Sequence, residues 1–357
     1  MPVPMMMLRE PVARRRHDDP VQGFASDEIV HVREWGTGNT HLMPHSRDGT
    51  IGSARGSWIR LAHVAREHAR ISRVDGYWVL KDMSSSSGIR LDGVRHSMFS
   101  LVPGCEIEIG DVTLVAESRG LAALRDVLVR LLGWAPERVT EVDLAVRAVR
   151  MAALHREPLF LCGSDGDVLS AARLLHQHTL GSEHPFITCA PRRILTGRKV
   201  INIANSLKAL KVATGGTLCI WPGHQLLKLV KANRPPTFSV QLIVCGPPSQ
   251  RADVLIRSRI VIPSLRRRKT EMDRIINEYL VDARTELGGT FLSSDHTWIR
   301  RHDAKTLSRI ELATRRLVAL RSAGGSITRA ARLLGIAHSA LSEWVARRKV
   351  PDLVARD

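Results

Sequence analysis

A glycine-rich turn in the middle of the chain has the layout of a phosphate-binding loop. The apolar run Leu159–Leu161 predicts a buried strand, Gly163 and Gly166 follow it, and an amphipathic helix comes next. In such a loop the backbone amides surround the phosphates, a lysine binds the β- and γ-phosphates, and a serine or threonine binds magnesium. Leu169 stands at the lysine position and Ser170 follows it. We interpret Gly163, Gly166 and Ser170 as a vestigial nucleotide site in which the glycines serve mainly the turn.

Phosphoryl transfer also needs acidic residues, and the sequence lacks these at the expected place. The strand predicted over Leu218–Ile220 runs into Trp221-Pro222, where an acidic pair would hold the metal and the attacking water. Without the lysine and the acidic pair, the chain has little means of stabilising the transferring phosphoryl group. We therefore predict that the protein is not an enzyme, and we expect no catalytic residue, cofactor or metal site. Two alternatives stay open here: a scaffold or oligomerisation unit, and weak nucleotide binding without hydrolysis.

The charge balance indicates a polyanionic partner. The 357 residues include 53 Lys and Arg against 35 Asp and Glu, which gives a formal net charge of +18. Such an excess favours nucleic acid, most simply DNA, as the partner. An arginine-rich proteome is the alternative source of the charge. The length suffices for two or three domains, each with a core of its own.

Cysteine usage and hydropathy predict a cytoplasmic protein with no membrane partner. The five cysteines have no CxxC spacing, and four of them lie in or beside apolar, strand-like runs. We therefore expect buried, reduced thiols. No apolar run approaches the roughly 20 residues that a membrane-spanning helix needs. Residues 1–27 lack periodicity and carry Arg14-Arg15-Arg16, which predicts a disordered basic arm.

The hydrophobic pattern changes character along the chain. Between residues 28 and 118, short apolar runs alternate with Gly, Asp and Ser turns, which is typical of a β-sandwich. Helical spacing follows, and strands and helices then alternate from Leu159 to Pro263, as in a parallel α/β sheet. A helix is predicted over Arg266–Arg284, and three helical segments lie between Asp303 and Lys349. The predicted strands of the sheet are Leu159–Cys162, Phe186–Cys189, Leu218–Ile220, Val240–Cys245 and Arg259–Ile262.

The N-terminal segment contains three motifs in order: Ile51-Gly52, Arg66-Glu67-His68 and a serine-rich run from Asp82 to Gly88. Together they resemble a forkhead-associated (FHA) domain. The resemblance implies a β-sandwich whose loops bind phosphothreonine peptides through charge-assisted hydrogen bonds. It also implies that His68 braces the binding loop. The candidate phosphopeptide-binding residues are Arg55, Arg66, Ser85 and Ser87.

Three positions depart from the FHA pattern. Ser53 stands in place of an arginine, Ala65 in place of a serine, and Ser87 in place of an asparagine. Loss of the arginine removes a charged hydrogen bond worth about 1.5–3 kcal/mol, and Arg55 lies close enough in the sequence to replace it. Two alternatives therefore stay open: a phosphopeptide-binding domain and an interaction module that does not need phosphate.

The middle segment resembles the AAA+ domain of bacterial sigma-54-dependent activators. The resemblance implies an α/β P-loop domain in which the lysine and the acidic pair have been lost. The stretch between Cys189 and Ala213 is too short for the family loop that contacts the sigma factor. We therefore expect a degenerate AAA+ domain that does not activate sigma-54 polymerase directly. The matching stretches are Pro158–His176, Pro185–Cys189, Ala213–Leu218 and Ile262–Arg268.

Residues 326–345 have a helix–turn–helix pattern. Ala330 and Ala331 face the core from the first helix, Gly335 permits the turn, and Leu341 anchors the second helix. The segment resembles a Fis-type DNA-binding domain, which implies that the second helix enters the major groove. The alternative is a helical hairpin with a basic, solvated face. The candidate DNA-binding residues are Thr328, Arg329, Arg332, His338, Ser339, Ser342, Arg347, Arg348 and Lys349.

These observations predict a multidomain protein. An FHA-like, all-β sandwich at 28–118 precedes a degenerate α/β AAA+ domain at 119–287, a linker at 288–302 and an all-α helix–turn–helix domain at 303–357. We predict a DNA-binding transcription regulator that assembles as a homo- or hetero-oligomer. Its sandwich also binds a protein partner, either through a phosphothreonine of that partner or without phosphate. The alternative is a phospho-dependent signalling adaptor that hetero-assembles with active enhancer-binding proteins.

Overall fold

Two facing sheets form the N-terminal part of the protein. The computed structural model describes residues 28–45, 48–155, 157–190, 200–221, 224, 239–247, 258–348 and 350, so the predicted arm at 1–27 lies outside the described residues. The strands are β1 (Ile29–Glu34), β2 (Thr40–Leu42), β3 (Asp48–Gly52), β4 (Ile59–Arg60), β5 (Ala69–Val74), β6 (Tyr77–Asp82), β7 (Ile89–Leu91), β8 (Val94–His96), β9 (Met98–Ser100), β10 (Glu106–Ile109) and β11 (Val112–Ser118). One sheet has the order β2-β1-β11-β10-β7-β8 and the other β4-β3-β5-β6-β9.

Alternation along the strands builds the core between these sheets. On β5, Ala69 and Ile71 are buried while Arg70 between them is exposed. On β10, Ile107 and Ile109 are buried in the same way, because successive side chains of a strand point to opposite faces. The buried faces form one hydrophobic cluster. The predicted β-sandwich is confirmed.

Two helices follow the sandwich without a break. Helix α1 (Arg119–Leu132) begins directly after β11, and α2 (Val139–His155) packs against it. The Ser118 hydroxyl accepts a hydrogen bond from the Leu121 N–H at 3.3 Å and thereby caps α1. The chain therefore leaves the sandwich as a helix and not as a flexible tether.

A buried cluster of charges joins the sandwich to these helices. Arg125 of α1 donates from Nε to Glu117 Oε1 at 2.7 Å and from Nη1 to Asp143 of α2. The Gly36 N–H donates to Asp143 Oδ2 at 2.8 Å, and the His31 ring lies 2.8 Å from Glu117 Oε2. Burial opposes ionisation of Glu117, but the His31 hydrogen bond and the Arg125 charge hold the pKa of this carboxyl below its ordinary value. The cluster fixes the sandwich against α1 and α2.

A parallel sheet forms the centre of the chain. Its order is β14-β13-β15-β16-β12-β17, and every strand pairing in it is parallel. The α/β arrangement agrees with the predicted alternation, and two strands have the predicted bounds; the AAA+ resemblance stays a prediction. The elements are β12 (Leu159–Cys162), α3 (Asp165–Thr179), β13 (Phe186–Cys189), β14 (Ile201–Asn202), α4 (Ser206–Val212), β15 (Thr217–Ile220), β16 (Gln241–Gly246) and β17 (Ser258–Val261).

The C-terminal part is helical, and a helix occupies most of the predicted linker at 288–302. Helix α6 (Ser293–His302) lies inside it, so that only 288–292 lack regular structure, and the predicted domain bounds stay a prediction. Short 3₁₀ turns precede α5, which begins six residues later than predicted because Leu265–Arg267 and Lys269–Glu271 form these turns. The helices are α5 (Met272–Leu287), α6 (Ser293–His302), α7 (Leu307–Ser322), α8 (Ile327–Leu334) and α9 (His338–Arg348). Every helix in the described part of the chain is too short or too polar to cross a bilayer.

One hydrophobic core runs through the central and C-terminal parts. Leu124 of α1, Leu169 of α3, Ile276 of α5 and Leu317 of α7 belong to a single cluster, which extends to Leu341 of α9. The predicted domain boundary near residue 303 is therefore not a break in packing. All five cysteines are free and buried, as the sequence predicts.

Candidate functional site

A serine-rich loop between β6 and β7, here called the serine loop (residues 83–88), is organised from within. Asp82 Oδ1 accepts hydrogen bonds from the Ser85 hydroxyl at 2.6 Å and from the Ser85 N–H at 3.3 Å. The Ser85 hydroxyl in turn accepts from the Gly88 N–H at 2.9 Å. Ser84 and Gly88 both have left-handed backbone, with φ of 62° and 70°. Ser85 was predicted to bind phosphate. In this structure its hydroxyl donates to Asp82 and accepts from Gly88, so Ser85 stabilises the conformation of the loop.

His68, the residue directly before β5, braces the serine loop. Its ring is buried, and Nε2 lies 3.0 Å from the Gly88 carbonyl oxygen. Its backbone joins two further segments, since the His68 N–H donates to Ile51 at 2.8 Å and its carbonyl accepts from Met83 at 2.9 Å. The geometry agrees with the expected structural role of His68.

Two neighbouring loops present arginines beside the serine loop. The Ser53 N–H donates to the Ala65 carbonyl at 3.0 Å, and the Ala54 N–H donates to the Arg66 carbonyl at 3.2 Å. A Cβ at Gly52 would lie 2.1 Å from the Arg66 carbonyl oxygen, so this close approach requires glycine. The pairing brings the segment that carries Arg55 next to Arg66, two residues before His68. Both arginines and Ser87 are exposed, and among the described residues none of their side chains has a hydrogen-bond or ion-pair partner.

A third arginine near the serine loop was missed at the sequence level. Arg95 of β8 lies against Gly88, such that a Cβ at Gly88 would be 2.5 Å from Arg95 Nε and 2.9 Å from Nη2. Within the described part of the chain, the Arg95 guanidinium makes no hydrogen bond or ion pair. The position follows from the register of β7 with β8, in which Ile89 opposes His96. No motif spacing carries that signal.

The predicted nucleotide site is taken up by packing. A Cβ at Gly163 would lie 3.1 Å from Val168 Cγ1 and 3.3 Å from Ile262 Cβ, so this glycine allows close packing after β12. The Ser164 hydroxyl accepts from the Asp167 N–H at 3.4 Å and caps α3, while Gly166 lies in the first turn. The glycines therefore serve the turn and its packing, as the sequence favours. Pro222 of the predicted Trp221-Pro222 pair lies outside the described residues.

Helix α7 lies on the side of α3 where Ser170 was predicted to serve a nucleotide. The Ser170 hydroxyl donates to Glu311 Oε2 at 3.1 Å, and Asp167 Oδ1 accepts from the Ser308 N–H at 2.9 Å. Burial raises the pKa of Asp167 above its ordinary value, against the lowering effect of these hydrogen bonds. The Ser170 hydroxyl therefore holds two helices together, and its assignment to a vestigial nucleotide site stays a prediction.

Helices α8 and α9 form a tight pair around Gly335. Gly335 has φ of 63°, in the left-handed region that favours glycine, and the Ile336 N–H donates to the Ala331 carbonyl at 3.0 Å. Ala330, Ala331 and Leu341 are buried, as the pattern predicts. The predicted DNA-contacting residues Thr328, Arg329, Arg332, His338 and Ser339 are exposed, Ser342 is half-buried, and Lys349 lies outside the described residues.

Three of the arginines predicted to bind DNA have hydrogen-bond partners within the protein. Arg348 Nη1 donates to Asp303, whose side chain is only 3% exposed, so Arg348 neutralises a buried carboxylate. Its contact with DNA stays a prediction. Arg347 Nη2 donates to Glu343 Oε2 at 2.8 Å, in a pair that is exposed on both sides. Arg329 Nη2 donates to the Ala323 carbonyl at 2.8 Å. Arg332 makes no such contact among the described residues.

Comparison with known proteins identifies the sandwich. Residues 49–110 match the family described as the FHA domain. No curated protein sequence matches the chain. Among solved structures, Mycobacterium tuberculosis EmbR in complex with a low-affinity phosphopeptide is 25% identical over 25% of this chain and 24% of that one, with a TM-score of 0.24. The aligned region thus spans about a quarter of the EmbR chain.

Two isolated domains from other organisms are also similar. The FHA domain of a Chlamydia trachomatis protein is 16% identical, covering 26% of this chain and 98% of that one with a TM-score of 0.24. The FHA domain of an Arabidopsis thaliana hypothetical protein is 22% identical, covering 25% of this chain and 86% of that one with a TM-score of 0.23. The family match at residues 49–110 places an FHA domain in the N-terminal part of the chain. FHA domains bind phosphopeptide or protein partners.

Proposed function

We propose that this protein is a DNA-binding transcription regulator whose FHA domain receives a protein partner. The observation that carries the proposal is that the N-terminal end of α9 is exposed. The turn at Gly335 positions this end, while Ala330, Ala331 and Leu341 are buried beneath the two helices. In helix–turn–helix proteins this end of the second helix reaches the base edges. The net charge of +18 supports a polyanionic partner.

The experiment selects genomic DNA fragments with the full-length protein at physiological salt and sequences the retained pool. A discrete site is expected to be recovered. His338→Ala with Ser339→Ala should lower affinity for that site while leaving non-specific binding nearly unchanged, since base contacts specify and phosphate contacts position. Uniform retention of all sequences, with a steep salt dependence, would contradict sequence-specific binding.

Arg332 offers a matched test of the backbone contacts. Arg332 on α8 and Arg284 on α5 are both exposed, so Arg332→Ala and Arg284→Ala make the same change in net charge. If α8 lies along the DNA backbone, Arg332→Ala lowers by about one the slope of log affinity against log salt concentration, because one fewer counterion is released on binding. Arg284→Ala leaves that slope unchanged. Equal effects of the two variants would assign the binding to net charge alone.

For the central sheet we propose a scaffold that does not hydrolyse nucleotide. Leu169 at the lysine position is buried, and Ser170 is engaged with Glu311 of α7. Asp167 places a carboxylate beside the first turn of α3, where a phosphate would need positive charge. The test is ATP turnover by the purified protein, with ATP binding followed separately by calorimetry; turnover above the buffer rate contradicts the proposal.

The adaptor remains the second candidate because two of the predicted DNA-contacting arginines are paired with acidic residues. Arg348 pairs with Asp303, and Arg347 pairs with Glu343 on the face of α9 that would meet DNA. Under this alternative the protein binds its partner through the FHA domain and binds DNA only weakly. The DNA selection described above separates the two candidates, since an adaptor retains no discrete site.

A further inference from the structure

We propose that Arg95 provides the principal guanidinium for the phosphate of a phosphothreonine peptide bound at the serine loop. This inference rests on the FHA domain of this chain binding a phosphopeptide. It assigns the charged contact to an arginine of β8, not to one in the loop that follows β3. Arg55, the replacement suggested by the sequence, becomes a secondary contact.

The need for such a residue follows from the loops themselves. Ser53 stands directly after Ile51-Gly52, where the FHA pattern has an arginine, so the first loop offers only a neutral hydroxyl at that position. A dianionic phosphate requires a strong donor, and the planar fork of an arginine fits two phosphate oxygens at once. The charge must therefore come from another segment that reaches the serine loop.

Arg95 reaches this loop because of backbone geometry. Gly88 ends the serine loop with φ of 70°, and the space that a Cβ would occupy there is filled by the Arg95 guanidinium, with Nε at 2.5 Å and Nη2 at 2.9 Å from that point. The next segment also returns to the loop, since the Asp82 N–H donates to the Ser97 carbonyl at 2.8 Å. Arg95 is thus held beside the loop by its own strand.

The charge of Arg95 is available, whereas that of its neighbour is engaged. Arg95 opposes Arg90 across the β7–β8 pair, and Arg90 Nη1 lies 3.6 Å from Glu108 Oε2. In the part of the chain that the structure describes, Arg95 has neither a hydrogen bond nor an ion pair. A guanidinium without a partner and exposed hydroxyls beside it are the kinds of donor that bind a phosphate.

The acidic groups near the loop leave room for an anion. The Asp82 Oδ1 atom faces inward and accepts both hydrogen bonds from Ser85, so its charge is partly satisfied within the loop. Glu67 is exposed and follows Arg66 in the neighbouring loop. Ser86 and Ser87 are exposed on the serine loop and have no side-chain partner among the described residues. Arg95, Arg66 and these hydroxyls together supply donors for a phosphate.

The experiment uses the full-length protein and a peptide array with a fixed central phosphothreonine and degenerate flanks. The best-binding peptide is then titrated by fluorescence anisotropy in phosphorylated and unphosphorylated forms. Arg95→Ala is expected to weaken binding of the phosphorylated peptide at least about tenfold. Arg95→Lys should recover part of this loss, because it restores charge without the fork.

Arg90→Ala is the matched control, since it removes the same charge from the paired strand. It should bind the phosphopeptide like the parent protein, and thermal unfolding of each variant checks that the sandwich is intact. If the parent protein prefers the phosphorylated peptide and Arg95→Ala retains that preference at full affinity, the Arg95 inference is overturned while phosphopeptide binding stands. If the parent protein shows no preference for phosphate, both fail together.

Discussion

The Ser170 hydroxyl donates a hydrogen bond to Glu311 Oε2 across 3.1 Å and thereby joins α3 to α7. One turn earlier on α3, the Asp167 carboxylate accepts from the Ser308 N–H and joins the same two helices. The helix that follows the glycine-rich turn therefore uses Asp167 and Ser170 for packing. Residues with the spacing of a nucleotide site have become parts of an internal helix interface.

Ser170→Ala should destabilise the protein without changing ATP binding. Removing a partly buried hydrogen bond costs about 1 kcal/mol of unfolding free energy, and Glu311 loses one donor. Urea unfolding measures the stability, and calorimetry measures ATP binding in parallel. Thr297→Ala is the control, because Thr297 is exposed and its hydroxyl, among the described residues, bonds only to the Ser293 carbonyl of its own helix α6. A Ser170→Ala variant with parental stability and weaker ATP binding would falsify the scaffold proposal.

Arg348→Ala and Arg347→Ala should have opposite phenotypes. Arg348→Ala leaves the buried Asp303 carboxylate unpaired, which we expect to cost about 2–3 kcal/mol, since Arg348 itself is partly exposed. Arg347→Ala breaks an exposed pair and should cost less than about 0.5 kcal/mol, yet it should weaken DNA binding. Chemical unfolding and DNA titration of both variants separate stability from binding. Equal loss of stability in the two variants would contradict the structural role of Arg348.

The junction between the sandwich and the helices should weaken in acid. The folded-state pKa of Glu117 lies below its ordinary value of 4.5, so this residue contributes stability that is fully present above about pH 4.5. That contribution is lost as the pH falls through the depressed folded-state pKa. Glu117→Gln should therefore cost roughly 2 kcal/mol near neutral pH, and the difference from the parent should shrink in acid.

Unfolding by urea at a series of pH values checks this expectation. Glu108→Gln is the control, because Glu108 forms only a longer and more exposed contact with Arg90. A loss in Glu117→Gln that is independent of pH would mean that packing, and not ionisation, explains the role of Glu117.

Gly88→Ala should be more harmful than Gly93→Ala, although both glycines have positive φ. At Gly93, φ is 83° and a Cβ would meet no atom within 4 Å, so only backbone strain of about 1 kcal/mol applies. At Gly88 the new Cβ would also displace the Arg95 guanidinium. Of the two variants, we expect only Gly88→Ala to lose phosphopeptide binding. Thermal unfolding and peptide titration of the pair measure the two effects, and equal peptide affinity would argue against a site at Gly88.

The sequence predicted those elements and residues whose positions depend on a local pattern of residue types. The alternation of short apolar runs with turns predicted the β-sandwich, and the apolar run Leu159–Cys162 predicted the bounds of β12, because burial dictates residue type along an element. His68 was correctly assigned to bracing the loop, since the motif carries it. Contacts between residues far apart in the sequence could not be predicted. Nothing near Ser170 in the sequence indicates that its partner is Glu311, 141 residues away.

The charged residues show the same limit in the candidate binding regions. Arg348 looked like a phosphate clamp because it ends a basic helix, and only the tertiary fold brings Asp303 to it, 45 residues away. Arg95 carries no motif, and its place beside Gly88 depends on strand register. Charge can be counted from a sequence, but whether a charge is free is decided by packing.

The continuous core has a consequence for how the C-terminal helices can be reused. Trp344 of α9 packs edge-on against Trp298 of α6, with ring centroids 5.6 Å apart, and α5 packs along α7. A fragment cut at residue 303 would expose Ile310 and Leu317, which are fully buried in the whole protein. Helices α7 to α9 therefore do not form a unit that folds apart from α5 and α6. Exchange of these helices between proteins, by recombination or by engineering, has to carry α5 and α6 with it.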